Sequence, residues 1–183
     1  MYKSIKSIHI KKERMNNMDE NIELLEYIYK NAEMGVHSLT KLQEELEEKE
    51  NKIKKVLKEE LESYEHFKKE SKKLIKKNGY DLEKNKLTAK IASSMGIKKE
   101  VNSDNSDASI AHMLTQGITM GVVDMETKID NYKEVVNEDI LSLAKEFLKF
   151  QQEEIEKLKK QINKLVGEEV QISIMEVKNA DMD

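Results

Sequence analysis

Leu46-Glu47-Glu48-Lys49-Glu50-Asn51-Lys52-Ile53 decides the fold of this chain. Before it run Leu25, Ile28, Ala32, Val36, Leu39 and Leu42, and after it Leu57, Leu61, Tyr64 and Phe67, all at helical spacing. The link holds no Gly or Pro, and Asn51 is its only turn-favouring residue. The two apolar stripes stay nearly in phase across it. Read as a turn, it makes a helical hairpin; read as helix, it leaves one rod of about 60 residues. The hairpin is the expectation, because an amphipathic helix of that length needs a partner and caps.

Working outward, helices are expected over 19–48, 51–78, 107–134 and 137–166. The first opens at Asp19 or Asn21, both N-cap types, with Glu20 and Glu23 in its first turn. The second stops at Asn78-Gly79, a left-handed terminator. The connector 79–106 follows, in which Leu87, Ile91 and Met95 suggest a short amphipathic helix over 82–95. It ends in the turn cluster Asn102-Ser-Asp-Asn-Ser-Asp107, with Ser106 or Asp107 as N-cap. The third helix carries Ile110, Leu114, Ile118, Met125 and Ile129. The fourth runs from Asn137 through Ile140, Ala144, Phe147, Ile155, Leu158 and Ile162 to a stop at Gly167. Short links within each pair and one long link between them predict an all-α fold, a four-helix bundle with a long crossover between helices 2 and 3. An extended helical hairpin or coiled coil is the alternative.

The ends read differently. Residues 1–18 form a basic, β-like leader, expected to be flexible. Lys11-Lys-Glu-Arg-Met15 is codable by a purine run resembling a ribosome-binding site, which places the expected translation start at Met15 or Met18. In the tail, 167–183, Val170-Gln-Ile-Ser-Ile-Met-Glu-Val177 alternates as a strand does, so a flexible or strand-like end is expected.

Composition narrows the function. Of 183 residues 37% are charged and none is proline, as in long-helix proteins. Aromatics are 5%, which disfavours a base-stacking platform. The net charge is −4 and Arg14 is the sole arginine, so the bidentate fork used on phosphate and guanine is nearly missing. Nucleic acid is therefore not the expected partner. With no cysteine there is no disulfide, thiolate site or cysteine nucleophile, and a reducing cytoplasm fits. No apolar run is long enough to span a membrane. Phosphate-loop, nucleophile-elbow and zinc-protease motifs are all missing.

Gly35, Gly117 and Gly121 fall on the apolar faces of their helices and are expected to permit close helix packing. Met34, Met113, Met120 and Met125 read as flexible core or flank fill. Gln43, Glu60, Gln151 and, at the edge, Glu154 face inward, while Asp124 and Lys128 lie at the flanks of the third helix. A buried carboxylate needs a partner or a raised pKa.

Asn31-Ala-Glu-Met-Gly35, Leu61-Glu-Ser-Tyr-Glu65 and Ile110-Ala-His-Met-Leu-Thr-Gln-Gly-Ile-Thr-Met-Gly121 carry a resemblance. Over roughly 19–166 the chain resembles small, uncharacterised ferritin-like four-helix-bundle proteins of spore-forming bacteria. The resemblance implies a bacterial protein with a role in stress or sporulation. Ferritin-like di-iron enzymes need inward carboxylates on four helices and Glu-x-x-His on two. Here the pairs are Glu33-x-x-x-His37 and Glu62-x-x-x-His66, and about 100° per residue turns both, with His112, away from the core. Glu33, His37, Glu62 and His66 thus remain only a surface zinc or nickel site at best. Glu60 and Glu154 are the better candidate ligands of a degenerate carboxylate centre. The expected function is a non-enzymatic bundle acting through protein–protein contacts as a homodimer, without a cofactor. The alternative is a ferritin-like protein that binds or stores iron, manganese or zinc.

Overall fold

The computed structural model describes residues 2–80 and 96–180, with side-chain surroundings over 20–80 and 96–164. These residues form α1 (Tyr2–Glu45), α2 (Lys54–Lys77), a short α3 (96–103), α4 (Asp107–Tyr132) and α5 (Glu138–Ala180). The described chain is all-helical, with no strand.

The chain leaves the helix over 46–53, so α1 and α2 are separate and fold back on each other. The single-rod alternative does not form. Leu46 N bonds Leu42 O and Gln43 O, and Lys49 N bonds Leu46 O at 3.0 Å, so the ladder tightens before it breaks. Leu46 and Ile53 are fully buried at the two ends of the turn. Asn51 is fixed from outside: its Nδ2 donates to Asn105 O and to Asp107 Oδ1, each at 2.8 Å. Lys52 N donates to Asp107 Oδ2 at 2.9 Å. A turn with weak local chemistry is thus held by the start of α4.

Gly79 ends α2 at φ +74. Tyr80 N reaches back to Ile75 O and Gly79 N to Lys76 O, which satisfies carbonyls that the helix end leaves free. Ser106 caps α4 in an extended conformation, its side chain accepting from Ser109 N at 3.2 Å. The expected helix over 82–95 lies outside the described residues.

Two expectations about the ends are corrected. Residues 2–18 are helical and continuous with α1, not β-like. No Gly or Pro interrupts them, so nothing breaks the backbone ladder before Asp19. Likewise α5 passes through Gly167 to Ala180. An interior Gly costs a helix only about 1 kcal/mol, which one position can carry, and the alternating tail is helical, not a strand.

α1 packs chiefly on α2 and α4 on α5, and the two hairpins meet through α1–α5, α2–α5 and α1–α4 contacts around one apolar core. α2 buries Leu57, Glu60, Tyr64, Phe67, Ser71 and Ile75 along one stripe. Across from it lie Phe147 and Phe150 of α5, with Tyr64 edge-on to Phe150 at 5.0 Å and Phe67 edge-on to Phe147 at 5.0 Å. Phe67 and Phe147, both buried, each stabilise the fold by about 1.5–3 kcal/mol. Ion pairs tie the hairpins at the surface: Lys77–Asp139 at 2.9 Å and Lys128–Glu23 at 2.6 Å. No helix among the described residues is long and apolar enough to cross a membrane.

Candidate functional site

Between α1 and α4 lies a cavity of about 510 Å³. Small side chains make room for it: Gly35 on α1 and Gly117 on α4 both line it. Its walls are apolar, from Met34, Leu39 and Leu42 on α1 and Met113, Leu114 and Ile118 on α4. Its floor is polar, from Glu60 and Tyr64 of α2 and Gln151 of α5, all buried. Lys30 and Asp124 stand at the more exposed rim.

A ladder of polar groups crosses one side of the cavity. Tyr27 OH donates to Gly121 O, and Asn31 Nδ2 donates to Tyr27 OH, each at 3.3 Å. Gln151 Nε2 donates to Asn31 Oδ1 at 3.3 Å. The ladder thus joins α4, α1 and α5. Gly121 is the residue that permits it, since a Cβ there would lie 2.8 Å from Gln151 Nε2 and 3.1 Å from Asn31 Nδ2. Burial pushes the Tyr27 hydroxyl up to about 12, and the charge of Asp124 adds to the shift. Burial pushes Tyr64 up as well.

Glu60 is 1% exposed, and neither of its oxygens receives a hydrogen bond from the protein. Burial first, then the charge of neighbouring Glu154, push its carboxyl up to about 8; Lys157 opposes them weakly. Both effects favour the protonated, neutral form of the Glu60 carboxyl. Glu154 is itself buried, and its charge is matched by Lys157 Nζ at 2.5 Å. The pair combines a carboxyl that favours its proton at the cavity floor with an ion pair behind it.

The sequence candidates separate into distinct places. Glu60 and Glu154 come together. Glu33 is instead held by Lys68 at 3.4 Å and by Tyr29 OH at 3.2 Å, while Glu62 and His66 are exposed on α2. Among the described residues no group of three or more His, Asp or Glu side chains is placed to hold a metal ion, so Glu33, His37, Glu62 and His66 do not join the Glu60–Glu154 pair in one centre. The reason is the helical phase that turns them away from the core. Gly35 and Gly121 lie at close helix approaches, whereas Gly117 does not: nothing lies within 4 Å of a Cβ built there. That packing role is corrected to a cavity-lining one. Gln43 is only partly buried.

No family model, curated protein or solved structure matches this chain.

Sequence reasoning found the floor residues one by one and missed the cavity. Met34, Met113 and Met120, read as fill, line it, and Met120 is 74% exposed. The available signal was an excess of apolar residues on α4, where Met113, Leu114, Met120 and Val123 go beyond what one buried stripe needs.

Proposed function

We propose that this chain is a non-enzymatic binding protein: a four-helix bundle of ferritin-like architecture, with 79–106 as its crossover and the α1/α4 face as its working surface. The observation that carries the reading is the cavity of about 510 Å³, with apolar walls and three buried polar side chains at its floor. Small-molecule sites share that division of labour and span about 300–1,000 Å³. Gly117→Leu is the test, because the new side chain grows into the open space of the cavity. An environment-sensitive apolar dye is expected to brighten on the native protein and stay dark on Gly117→Leu, with helix content unchanged. Equal brightening on both proteins overturns the reading.

Protein–protein contacts belong to the same face. Met120 and Val123, 74% and 56% exposed on α4, support a homodimer formed there. Met120→Glu is then expected to sediment as a monomer where the native chain sediments as a dimer.

A second reading, the degenerate ferritin-like carboxylate site, is supported by the meeting of Glu60 and Glu154. It requires iron, manganese or zinc to co-purify stoichiometrically and to be lost in Glu60→Gln. Metal-free protein from a chelator-free preparation removes it.

A further inference from the structure

α1 and α5 are much longer than the helices that pack on them. α1 has 44 residues and α5 has 43, whereas α2 has 24 and α4 has 26. At 1.5 Å per residue the long pair runs about 65 Å and the short pair about 36–39 Å. Contacts fix where the surplus falls. At one end of the bundle Asn137 N donates to Asn21 Oδ1 at 2.7 Å and Lys77 pairs with Asp139, so the α4–α5 turn and the end of α2 are level with Asn21. At the other end Asn51 meets Asp107. α2 runs antiparallel along α5, with Lys77 by Asp139 and Glu60 by Glu154, which brings its start level with about residue 161. Residues 2–18 therefore extend beyond one end of the bundle and 165–180 beyond the other, each a helical overhang of about 25 Å.

The two overhangs differ in charge. Residues 2–18 include Lys3, Lys6, Lys11, Lys12 and Arg14 against Glu13 alone, and 165–180 include Glu168, Glu169 and Glu176 against Lys178 alone. By helical register, positions 3, 7, 10 and 14 continue the stripe of α1 that carries Ile28, Ala32 and Leu39 in the core. Positions 165, 169, 172 and 176 continue the stripe of α5 that carries Phe147 and Leu158. The first continuation reads Lys-Ser-Ile-Arg and the second Leu-Glu-Ile-Glu. A helix of that length is marginal in water without a partner, and neither α2 nor α4 extends far enough to supply one. The bundle body, about 36 Å long, keeps the two overhangs of one chain apart. Complementary segments that cannot meet within a chain can meet between chains.

We propose that the 2–18 overhang of one copy packs along the 165–180 overhang of a second copy, joining bundles head to tail. Two basic overhangs repel each other, and so do two acidic ones, so the contact joins unlike ends and repeats from copy to copy. α1 and α5 point the same way along the bundle, so the paired overhangs are parallel, and setting Ile10 beside Ile172 brings Arg14 beside Glu176. Exposed ion pairs add little each. Burial of the isoleucines holds the pair together, and charge selects which ends meet and makes the association sensitive to salt. The contact is separate from the α4 face and does not depend on it.

Sedimentation equilibrium of the full chain carrying Met120→Glu, which blocks the α4 face, tests this. Association is expected to grow with protein concentration at about 0.02 M salt and to weaken at least about tenfold at about 1 M. In the same background, Lys3→Glu with Arg14→Glu, or Glu169→Lys with Glu176→Lys, is expected to leave only monomer, with helix content unchanged. A one-to-one mixture of the two double variants is expected to associate again, because each now offers the other the opposite sign. Monomer at both salt concentrations overturns the proposal. So does association that is equal at both, or unchanged in either double variant, or not restored in the mixture.

Discussion

A Cβ on Gly35 would sit 2.6 Å from Cδ1 of the Tyr64 ring. α1 therefore passes the ring with only backbone between them. The ring is also edge-on to Phe147 at 6.1 Å and to Phe150 at 5.0 Å, so it has no free direction in which to retreat. Gly35→Ala is expected to destabilise the fold by about 1–3 kcal/mol, against the gain of about 1 kcal/mol that Ala brings to a helix. Gly117→Ala has the opposite sign, since nothing lies within 4 Å of its Cβ: a gain of about 0.5–1 kcal/mol is expected. Urea unfolding of the two variants reads the contrast, and stabilisation by both would show that Tyr64 moves aside freely.

These two glycines show where sequence legibility stops. Both lie on apolar faces, and spacing alone treats them alike. What separates them is the partner helix, and helical periodicity contains no information about which helix faces which. The same limit explains the cavity. Glu60 and Gln151 were recognisable as inward polar residues, each from its own stripe, but their meeting depends on how α2, α5 and α1 pack. The end of α2 and the start of α4 were legible because Asn78-Gly79 and 102–107 are strong local punctuation, whereas the 46–53 turn offers only Asn51. The ends were misread because alternation in a short polar stretch fits a strand and a helix equally well, and the backbone ladder of α1 and α5 decided it.

Glu60 gives stability a distinctive pH dependence. In the unfolded chain its carboxyl titrates near 4.5, and in the fold it keeps its proton to about 8. Between those values the folded state binds one proton more than the unfolded state. Stability from this group is thus full below pH 4.5, falls as pH rises through the window and levels off above 8. Glu60→Gln removes that slope, so the native chain is expected to lose a few kcal/mol relative to the variant between pH 5 and 9. The carboxyls of Glu23 and Asp139, held down by lysines, act at the acid end and leave the window clear. Parallel stability curves for the two proteins would sink the assignment.

Lys128 joins α4 to α1 by charge and by ring contact together. Its Nζ lies 2.6 Å from Glu23 Oε1, 5.2 Å from the Tyr27 ring centre and 5.8 Å from that of Tyr132. Glu23 is half exposed, so the ion pair alone contributes under about 1 kcal/mol, and the cation–π contacts add about 0.5–1 kcal/mol. Lys128→Met keeps the apolar stem and removes both charge terms; a loss of about 1 kcal/mol is expected, shrinking only in part at 1 M salt because the ring contact persists. A loss that vanishes completely in salt would assign the effect to Glu23 alone.

Asn51 ties the α1–α2 turn to the start of α4. Its side chain donates to Asn105 O and Asp107 Oδ1, and Asp107 also takes Lys52 N, so one carboxylate gathers the α1–α2 turn onto the start of α4. Asp107 lies in the first turn of α4, where a negative charge is favoured by the helix dipole. Asn51→Ala removes two hydrogen bonds and leaves that carboxylate in place; a cost of about 1–2 kcal/mol is expected, with faster amide exchange over 46–53 and at the α4 N-terminus. Asn51→Asp should be worse than Asn51→Ala, because it sets a second carboxylate against Asp107 where a donor stood. The excess should disappear below the carboxylate range, where the new side chain becomes a donor again. If Asn51→Asp matched Asn51→Ala at neutral pH, the turn would have to be held by Leu46 and Ile53 alone.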